Sequence, residues 1–485
     1  MSHLLLAAIF FPLIWGALML LLPEKILNSD KRTERMYLIG LSVTSLLLLL
    51  AEILIPNGTS VRMLPLTAEL PIVLTVDRTA RLFHLLTLFI WVMAGIFSIP
   101  YMRGENALKR YYAFYIATLG ILTGLDFSGN LVTLYMFFEL TTLISAPLVF
   151  HNQTREAVLA GLKYMFFSFC GAYCALFGLY FLYHYTQGDL SFALGGQLSG
   201  EQSFLLLPAF LMILGFGVKA GMFPLHAWLP AAHPVAPSPA SAALSGIIVK
   251  AGVLAIFRSI YYVIGADAIR GTWVQRVWII LSLITVFMGS MLAYMEPVLK
   301  KRLAYSTVSQ LSYILFGMAL MNTTSLTGSL SHVVFHAIIK CALFLTAGAI
   351  IHATGKTRVE DMYGLGRTAP VLMLSYTVVS LGLIGIPPMS GFVSKWYLCL
   401  GALETGDLVM AIFGIVTLLL SALLTAGYLL PLTIHAFFPG DHETISLRVS
   451  PLMTIPVAIL ALATLILGIY PKPLLDMIGK ILEVL

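Results

Sequence analysis

Charge is what this sequence has least of. Asp, Glu, Lys and Arg together make up 10% of its 485 residues, where a soluble domain carries about 25%. Mean hydropathy is +0.94. No soluble fold could keep that much apolar surface from water, so the bilayer is the solvent for most of the chain. Cysteine is also scarce. Of four cysteines, only Cys170 and Cys174 stand close, one helical turn apart in an apolar run. That spacing suits neither an iron–sulfur cluster nor zinc, and nothing suggests a disulfide framework. The pair reads as small buried hydrophobes. There is no Gly-rich phosphate loop between a strand and a helix and no haem-attachment motif. No cofactor or metal is therefore expected on this chain, nor a redox centre, and any redox energy must come from other subunits. The net charge of +6 reports loop orientation rather than nucleic-acid binding.

What is present in abundance is long apolar runs. A spanning helix needs about 20 apolar residues. Candidate helices fall at 4–22, 36–55, 80–99, 112–127, 129–150, 162–185, 204–223, 238–264, 274–295, 303–321, 328–353, 370–402, 408–437 and 452–470. The first lacks the basic leader and cleavage site of a signal peptide and reads as a retained helix. The run 370–402 is too long for one straight span and contains Gly385, Pro387, Pro388 and Gly391, so it reads as one broken helix. The expectation is an all-α membrane protein of about 14 spans. Basic residues gather in odd-numbered loops: Lys25, Lys31, Arg32 and Arg35 in the first, Arg103, Lys109 and Arg110 in the third, Lys300 to Arg302 in the ninth, Lys356, Arg358 and Arg367 in the eleventh. The second loop offsets Arg62 and Arg78 with Glu69 and Asp77. The positive-inside rule then puts odd loops in the cytoplasm of a prokaryotic cell and both termini outside. A long outer loop, 56–79, covers the outer mouth, and the amphipathic tail Leu474 to Leu485 lies on the surface or docks on a neighbour.

Among the charges within predicted spans, five stand out: Glu139, Lys219, Lys250, Lys340 and Lys395. A charge at the bilayer centre costs roughly 2.5–3.5 kcal/mol, so all five facing lipid would exceed the stability of most domains. They must face the interior, pair or be hydrated, and a desolvated lysine readily gives up its proton. Glu139 lies mid-span in YMFFELTTL, where it can pair with Lys219. Lys219 stands beside Gly221 and Pro224, and Pro224 leaves a backbone carbonyl free, which at membrane depth needs protein or water to satisfy it. Lys395 follows a second Pro/Gly break. Two interrupted helices, each beside one lysine, point to an internal repeat with an ion site in each half. Lys250 sits mid-span, and Arg258, two turns on, snorkels or pairs. His332, His336 and Lys340 form an i, i+4, i+8 stripe, read as a proton relay. The histidine pair could also hold zinc, but no carboxylate or cysteine is near in sequence. Tyr305 to Ser312 make an unusually polar helix that holds water or joins helices. His226 and His233 either feed protons to Lys219 or cap a loop.

GFGVKAGMFPLHAWLPAAHPVAPSPASAALSGIIVKAGVLAIFR resembles the central signature of the antiporter-like subunits of respiratory complex I and its relatives. So do Lys300 to Tyr313, His332 to Gly348 and IGIPPMSGFVSKW at Ile384 to Trp396. The superfamily includes NADH–quinone oxidoreductase, energy-converting membrane-bound hydrogenases and multisubunit sodium/proton antiporters. The resemblance implies 14 helices with two inverted five-helix repeats and breaks in helices 7 and 12. The corresponding division is 1–110, 111–265 (first repeat), 266–440 (second repeat) and 441–485. It implies a route through Glu139, Lys219, Lys250, His332, His336, Lys340 and Lys395. AHPVAPSPASAALSG and AGYLLPLTIHAFF look most like hydrogenase-type and antiporter-type members. The expected function is proton translocation within a redox-driven, hydrogenase-type complex carrying a peripheral iron–sulfur arm. The alternatives are a sodium/proton antiporter subunit with only small membrane partners, a subunit of NADH–quinone oxidoreductase, or an inert scaffold, in which five buried charges would have no reason to persist.

Overall fold

The computed structural model describes residues 2–483 apart from 24, 25, 28, 64, 66, 68, 69, 194 and 199–202. Lys25, Glu69 and the last two residues of the amphipathic tail therefore lie outside the described residues. The chain is almost entirely helical: α1 Ser2–Leu21, α2 Asp30–Leu54, α3 Arg78–Met102, α4 Leu108–Asp126, α5 Leu131–Val149, α6 Arg155–Tyr185, α7 Leu206–Gly217, α8 Leu229–Val235, α9 Ser238–Ala243, α10 Lys250–Arg258, α11 Trp273–Met295, α12 Leu299–Ala319, α13 Thr323–Thr354, α14 Leu365–Thr368, α15 Pro370–Ile384, α16 Ser390–Leu403, α17 Leu408–Phe437, α18 Pro451–Ile469 and α19 Lys472–Leu482. Two π-helical turns, Leu244–Ile248 and Ser259–Ile264, join α9 and α10 into one rod from Ser238 to Ile264. Among the described residues, ten helices are long and apolar enough to cross a membrane.

Polar side chains set where these helices begin. Asp77, Asn130, Thr154, Asn322 and Asp407 cap α3, α5, α6, α13 and α17 by accepting a hydrogen bond from a first-turn N–H, satisfying donors that lipid could not. Burial sorts the bundle into centre and rim. The most apolar stretch of the rod 238–264 is wholly buried and that of α13 is 94% buried, against 28% for α17. The rod and α13 are therefore the axis of the molecule, and they carry Lys250 and the His332–Lys340 stripe.

On the rim, apolar side chains face outward, as lipid allows. Phe166, Tyr173, Phe177 and Tyr180 expose one side of α6. Cys170 lies on that side and is exposed, with Cys174 half-buried. The expectation of two buried cysteines is thus corrected: beside lipid, an apolar run does not require burial in protein.

The long loop after α2 forms a short hairpin, β1 Ser60–Arg62 paired antiparallel with β2 Val73–Thr75. It docks on the α4–α5 turn, where the Thr75 N–H donates to Phe127 O at 2.7 Å and Gly129 N–H to Val73 O at 2.8 Å. The hairpin thus covers the end of the bundle at which α3 and α5 begin. The amphipathic α19 packs its apolar side, Ile478 and Ile481, into the protein and lies against α3 and α13. Its Lys480 carbonyl accepts from Arg78 Nη1 at 2.6 Å.

Candidate functional site

The two helix breaks come first, because they position two of the lysines. The sequence predicts a helix through residue 223, but α7 stops at Gly217, nearly two turns earlier, and the chain stays unwound to Trp228. Pro224 alone would free a carbonyl only one turn back. Gly221, with φ +69°, ends the helix sooner because this conformation cannot continue it. Protein groups satisfy the freed backbone. Trp228 Nε1 donates to Val218 O at 2.8 Å, and Thr285 Oγ1 accepts from the Phe223 N–H at 3.0 Å. Lys219 sits in this unwound stretch, fully buried. Gly252 lets α10 lie directly against it: a Cβ there would collide with Phe216 O and come within 3.0 Å of Lys219 Cβ.

The second break separates α15 from α16. Lys395, on the first turns of α16, reaches back and donates to Leu383 O and Ile384 O at 2.7 and 2.8 Å. These are the last carbonyls of α15, left without helical partners by the break, and a cation is stabilised at a helix C-terminus. Close approach makes this possible, since a Cβ on Gly391 would collide with Gly382 O. Gly391→Ala is expected to pry α16 from α15 and lower the unfolding midpoint, by the roughly 1–3 kcal/mol typical of overpacking. An unchanged melting curve in detergent would show that the contact is not constrained.

The sequence predicts a pair between Glu139 and Lys219. The structure brings them near enough for their charges to interact, but Lys219 Nζ donates instead to Thr142 Oγ1 at 2.7 Å and lies 4.8 Å from the centre of the Phe138 ring. Thr142 is one turn after Glu139 on α5, so it takes the lysine first. Glu139 Oε1 is buried without a protein partner.

Lys250 begins α10, directly after a π-helical turn. Its Nζ donates to Ser245 O at 2.6 Å and lies 2.8 Å from His336 Nδ1. The Ser245 hydroxyl meets Thr307 Oγ1 at 2.8 Å, and Thr307 donates to Leu303 O. Lys340 Nζ donates to that same carbonyl at 3.1 Å and to Ser306 Oγ at 2.6 Å, and Ser306 meets the Tyr428 hydroxyl at 2.6 Å. Lys250 thus bonds directly to His336 on α13, whereas towards Lys340 stand buried polar groups of α12 without an unbroken relay, because Lys250 meets the Ser245 carbonyl and not its hydroxyl, and Leu303 O accepts from both Thr307 and Lys340. One turn before His336, His332 sets Nδ1 2.8 Å from Ser394 Oγ on α16, beside Lys395. The His332 and His336 rings are 5.9 Å apart, and Lys395 Nζ is 5.1 Å from the centre of the Tyr313 ring, which itself stacks on His332. The His332–His336–Lys340 stripe is therefore divided among three partners: α16, the rod and α12.

Buried Gln310 Oε1 and Nε2, Ser312 Oγ, Ser331 Oγ, and the Nε2 atoms of His332 and His336 have no protein partner. Buried polar atoms of native proteins are hydrogen-bonded, by internal water where protein does not serve. Of the two expected uses of the polar α12, the structure shows the joining of helices: Ser309 ties α11 and α17 through Ser290 and Ser421. Arg258 pairs rather than snorkels, meeting Asp77 in a two-pronged contact at 2.7 Å on each prong. His233 is fully buried and stacks on Phe344, with neither ring nitrogen bonded to protein, and His226 lies in the first break. Sequence reasoning missed Thr142, Ser394 and Tyr428, which carry no charge to mark them. It also missed Asp126, whose position at the end of an apolar run could have marked it.

Residues 128–421 match the family described as NADH:quinone oxidoreductase/Mrp antiporter, transmembrane. The chain belongs to that family. It is 30% identical over 424 residues to NADH-quinone oxidoreductase subunit N of Desulforudis audaxviator, covering 83% of each chain. It is 30% identical over 404 residues to a Na(+)/H(+) antiporter subunit of Bacillus subtilis, covering 82% of this chain and 80% of that one. Its fold matches a chain of the Mrp complex from Dietzia sp. DQ12-45-1b with a TM-score of 0.84 at 23% identity, over 99% of this chain and 96% of the other. The match runs from α5 into the first half of α17, and Glu139, Lys219, Lys250, His332, His336, Lys340 and Lys395 all lie inside it.

Proposed function

We propose that this chain is the proton-translocating subunit of a multisubunit membrane complex and that protons pass along Glu139, Lys219, Lys250, His336, His332, Lys340 and Lys395. The observation that carries this reading is the direct 2.8 Å hydrogen bond between Lys250 and His336 in the buried axis, with the buried hydroxyls of Ser245, Thr307 and Ser306 standing between Lys250 and Lys340. Lysine and histidine exchange protons readily when desolvated, whereas cationic lysines repel sodium.

The same reading takes the fold as fourteen spans with two inverted five-helix repeats, 111–265 and 266–440, and both termini outside. Support comes from treating α7 with α8, α9 with α10, and α15 with α16 as single interrupted spans and adding α4 and α12 to the uninterrupted long helices. For the parent complex we propose a redox-driven, hydrogenase-type assembly with an iron–sulfur arm; the segments 232–246 and 426–438 favour it over an NADH-linked one but resemble antiporter-type members equally. A sodium/proton antiporter assembly is favoured instead by the similarity to the Bacillus subtilis protein. Mass spectrometry of the intact complex, purified gently through this chain, separates the two. Iron–sulfur and nickel subunits are expected; recovery of small hydrophobic subunits alone would replace the redox assembly with the antiporter.

A further inference from the structure

At the end of the bundle where α3 begins, cations gather that the buried axis does not use. A cavity of about 470 Å³ opens there between Asn57 after α2, Arg78 and Arg81 on the first turn of α3, and Asp476, Met477 and Lys480 on α19. Its charges do not cancel. Arg81 is held by Glu52 Oε1 at 2.9 Å and by Asn57 Oδ1 at 2.6 Å, and Asp476 meets Lys472 at 3.0 Å. Arg78 and Lys480 remain, both exposed. Among the described residues neither has an ion-pair partner, so the cavity keeps two uncompensated positive charges. Arg78 Nη1 donates to the Lys480 carbonyl at 2.6 Å, which uses one of five N–H donors and leaves the others in a planar fork that matches phosphate oxygens. Because that contact is to the backbone of Lys480, its ammonium faces the same space without a partner. The surroundings are those of a membrane surface. Ile53 and Leu54 in the last turn of α2, and Ile469 and Tyr470 leading into α19, are exposed, and tyrosine is enriched where acyl chains give way to headgroups. A ligand that fits brings negative charge at headgroup level and apolar bulk beside it.

We propose that this cavity binds the phosphate of an anionic phospholipid, with Arg78 and Lys480 on its oxygens and its acyl chains over the exposed ends of α2 and α18. Basic pockets at the membrane surface recognise lipid headgroups in this way. A zwitterionic lipid fits less well, since its own ammonium meets two cations. The lipid bridges α19 and the start of α3, two elements that the Arg78–Lys480 contact already joins. The site shares no residue with the translocation route, so its test stands apart from that reading.

The test is photo-crosslinking of the intact complex in proteoliposomes with phosphatidylglycerol that carries a diazirine near its glycerol, the adducts being mapped by peptide mass spectrometry. Adducts are expected on α19 around Met477, and unlabelled phosphatidylglycerol is expected to compete them away where phosphatidylcholine and inorganic phosphate do not. Lys480→Gln removes one charge and spares the backbone contact to Arg78, and its adduct yield is expected to fall roughly fivefold. Lys480→Arg is expected to keep the parent yield. Arg78→Gln is expected to lose at least as much, but it also loosens α19, so Lys480→Gln decides if that variant fails to assemble. Absence of adducts on α19 of the parent complex, or a parent yield in Lys480→Gln, overturns the site. A loss that Lys480→Arg does not restore would assign the effect to packing and overturn it too. Equal competition by inorganic phosphate would make this a site for free anions, and equal competition by phosphatidylcholine an unselective lipid groove; either result overturns the anionic lipid.

Discussion

Replacing Lys219 with alanine is expected to abolish coupled ion transport while leaving the complex assembled. The lysine is fully buried in an unwound segment, with Thr142 as its hydrogen-bond acceptor and Glu139 as the carboxylate whose charge it feels. Alanine removes the proton carrier itself, and loss of a positioned acid–base group typically costs 10²- to 10⁴-fold, about 3–5 kcal/mol. The break should survive, because its freed backbone groups are satisfied by Trp228 and Thr285 rather than by the lysine. Thr142→Val should give a partial defect, since it removes the acceptor and spares the charge. Reconstituted complex gives the answer directly: an assembled Lys219→Ala complex that transports at the parent rate would remove Lys219 from the route and leave the broken helix a packing feature.

The second large effect is on stability. Arg258 is 1% exposed and Asp77 32% exposed, and their two-pronged contact ties the last turns of the rod to the cap of α3. Guanidinium stacking on Phe192 and Tyr262 fixes the arginine further. Removing one partner of a buried pair leaves the other charge uncompensated and costs about 3–5 kcal/mol. Because Asp77 keeps some contact with solvent, Asp77→Asn should fall near the low end, about 3 kcal/mol. Burial alone would raise the Asp77 carboxyl, but the charge and hydrogen bonds of Arg258, with the Ala80 N–H, hold it below its ordinary value of 3.8. A lowered native pKa means this contribution is complete above the ordinary carboxylate range and is lost as pH falls through the lowered value. The parent and Asp77→Asn melting curves should therefore differ most near neutral pH and converge in acid. No difference at any pH would show that Asp77 acts only as a helix cap, since asparagine caps as well.

Much of this protein can be read in one dimension because lipid imposes one-dimensional rules. Apolar runs of about 20 residues mark helices, and 408–437 is delimited to the residue. Proline and glycine mark the breaks, since neither continues a helix. Intramembrane charge marks the axis, because its cost restricts it to places where it is used. The same rules misplace Cys170, as lipid accepts apolar groups that water would drive inward, and they set the end of α7 nearly two turns late.

The amino-acid sequence by itself therefore determined that the chain is a helical membrane protein, about where its helices lie and which charged residues fall inside its apolar runs. Only the tertiary structure decided who their partners are: Thr142 in place of Glu139 for Lys219, His336 for Lys250, the end of α15 for Lys395, and Asp77 for Arg258. These partners lie between 11 and 181 residues apart in sequence and are joined by geometry of a few ångströms. Hydrophobicity depends on composition and survives in any local window, but a hydrogen bond depends on distance and angle, and those exist only once the helices have packed.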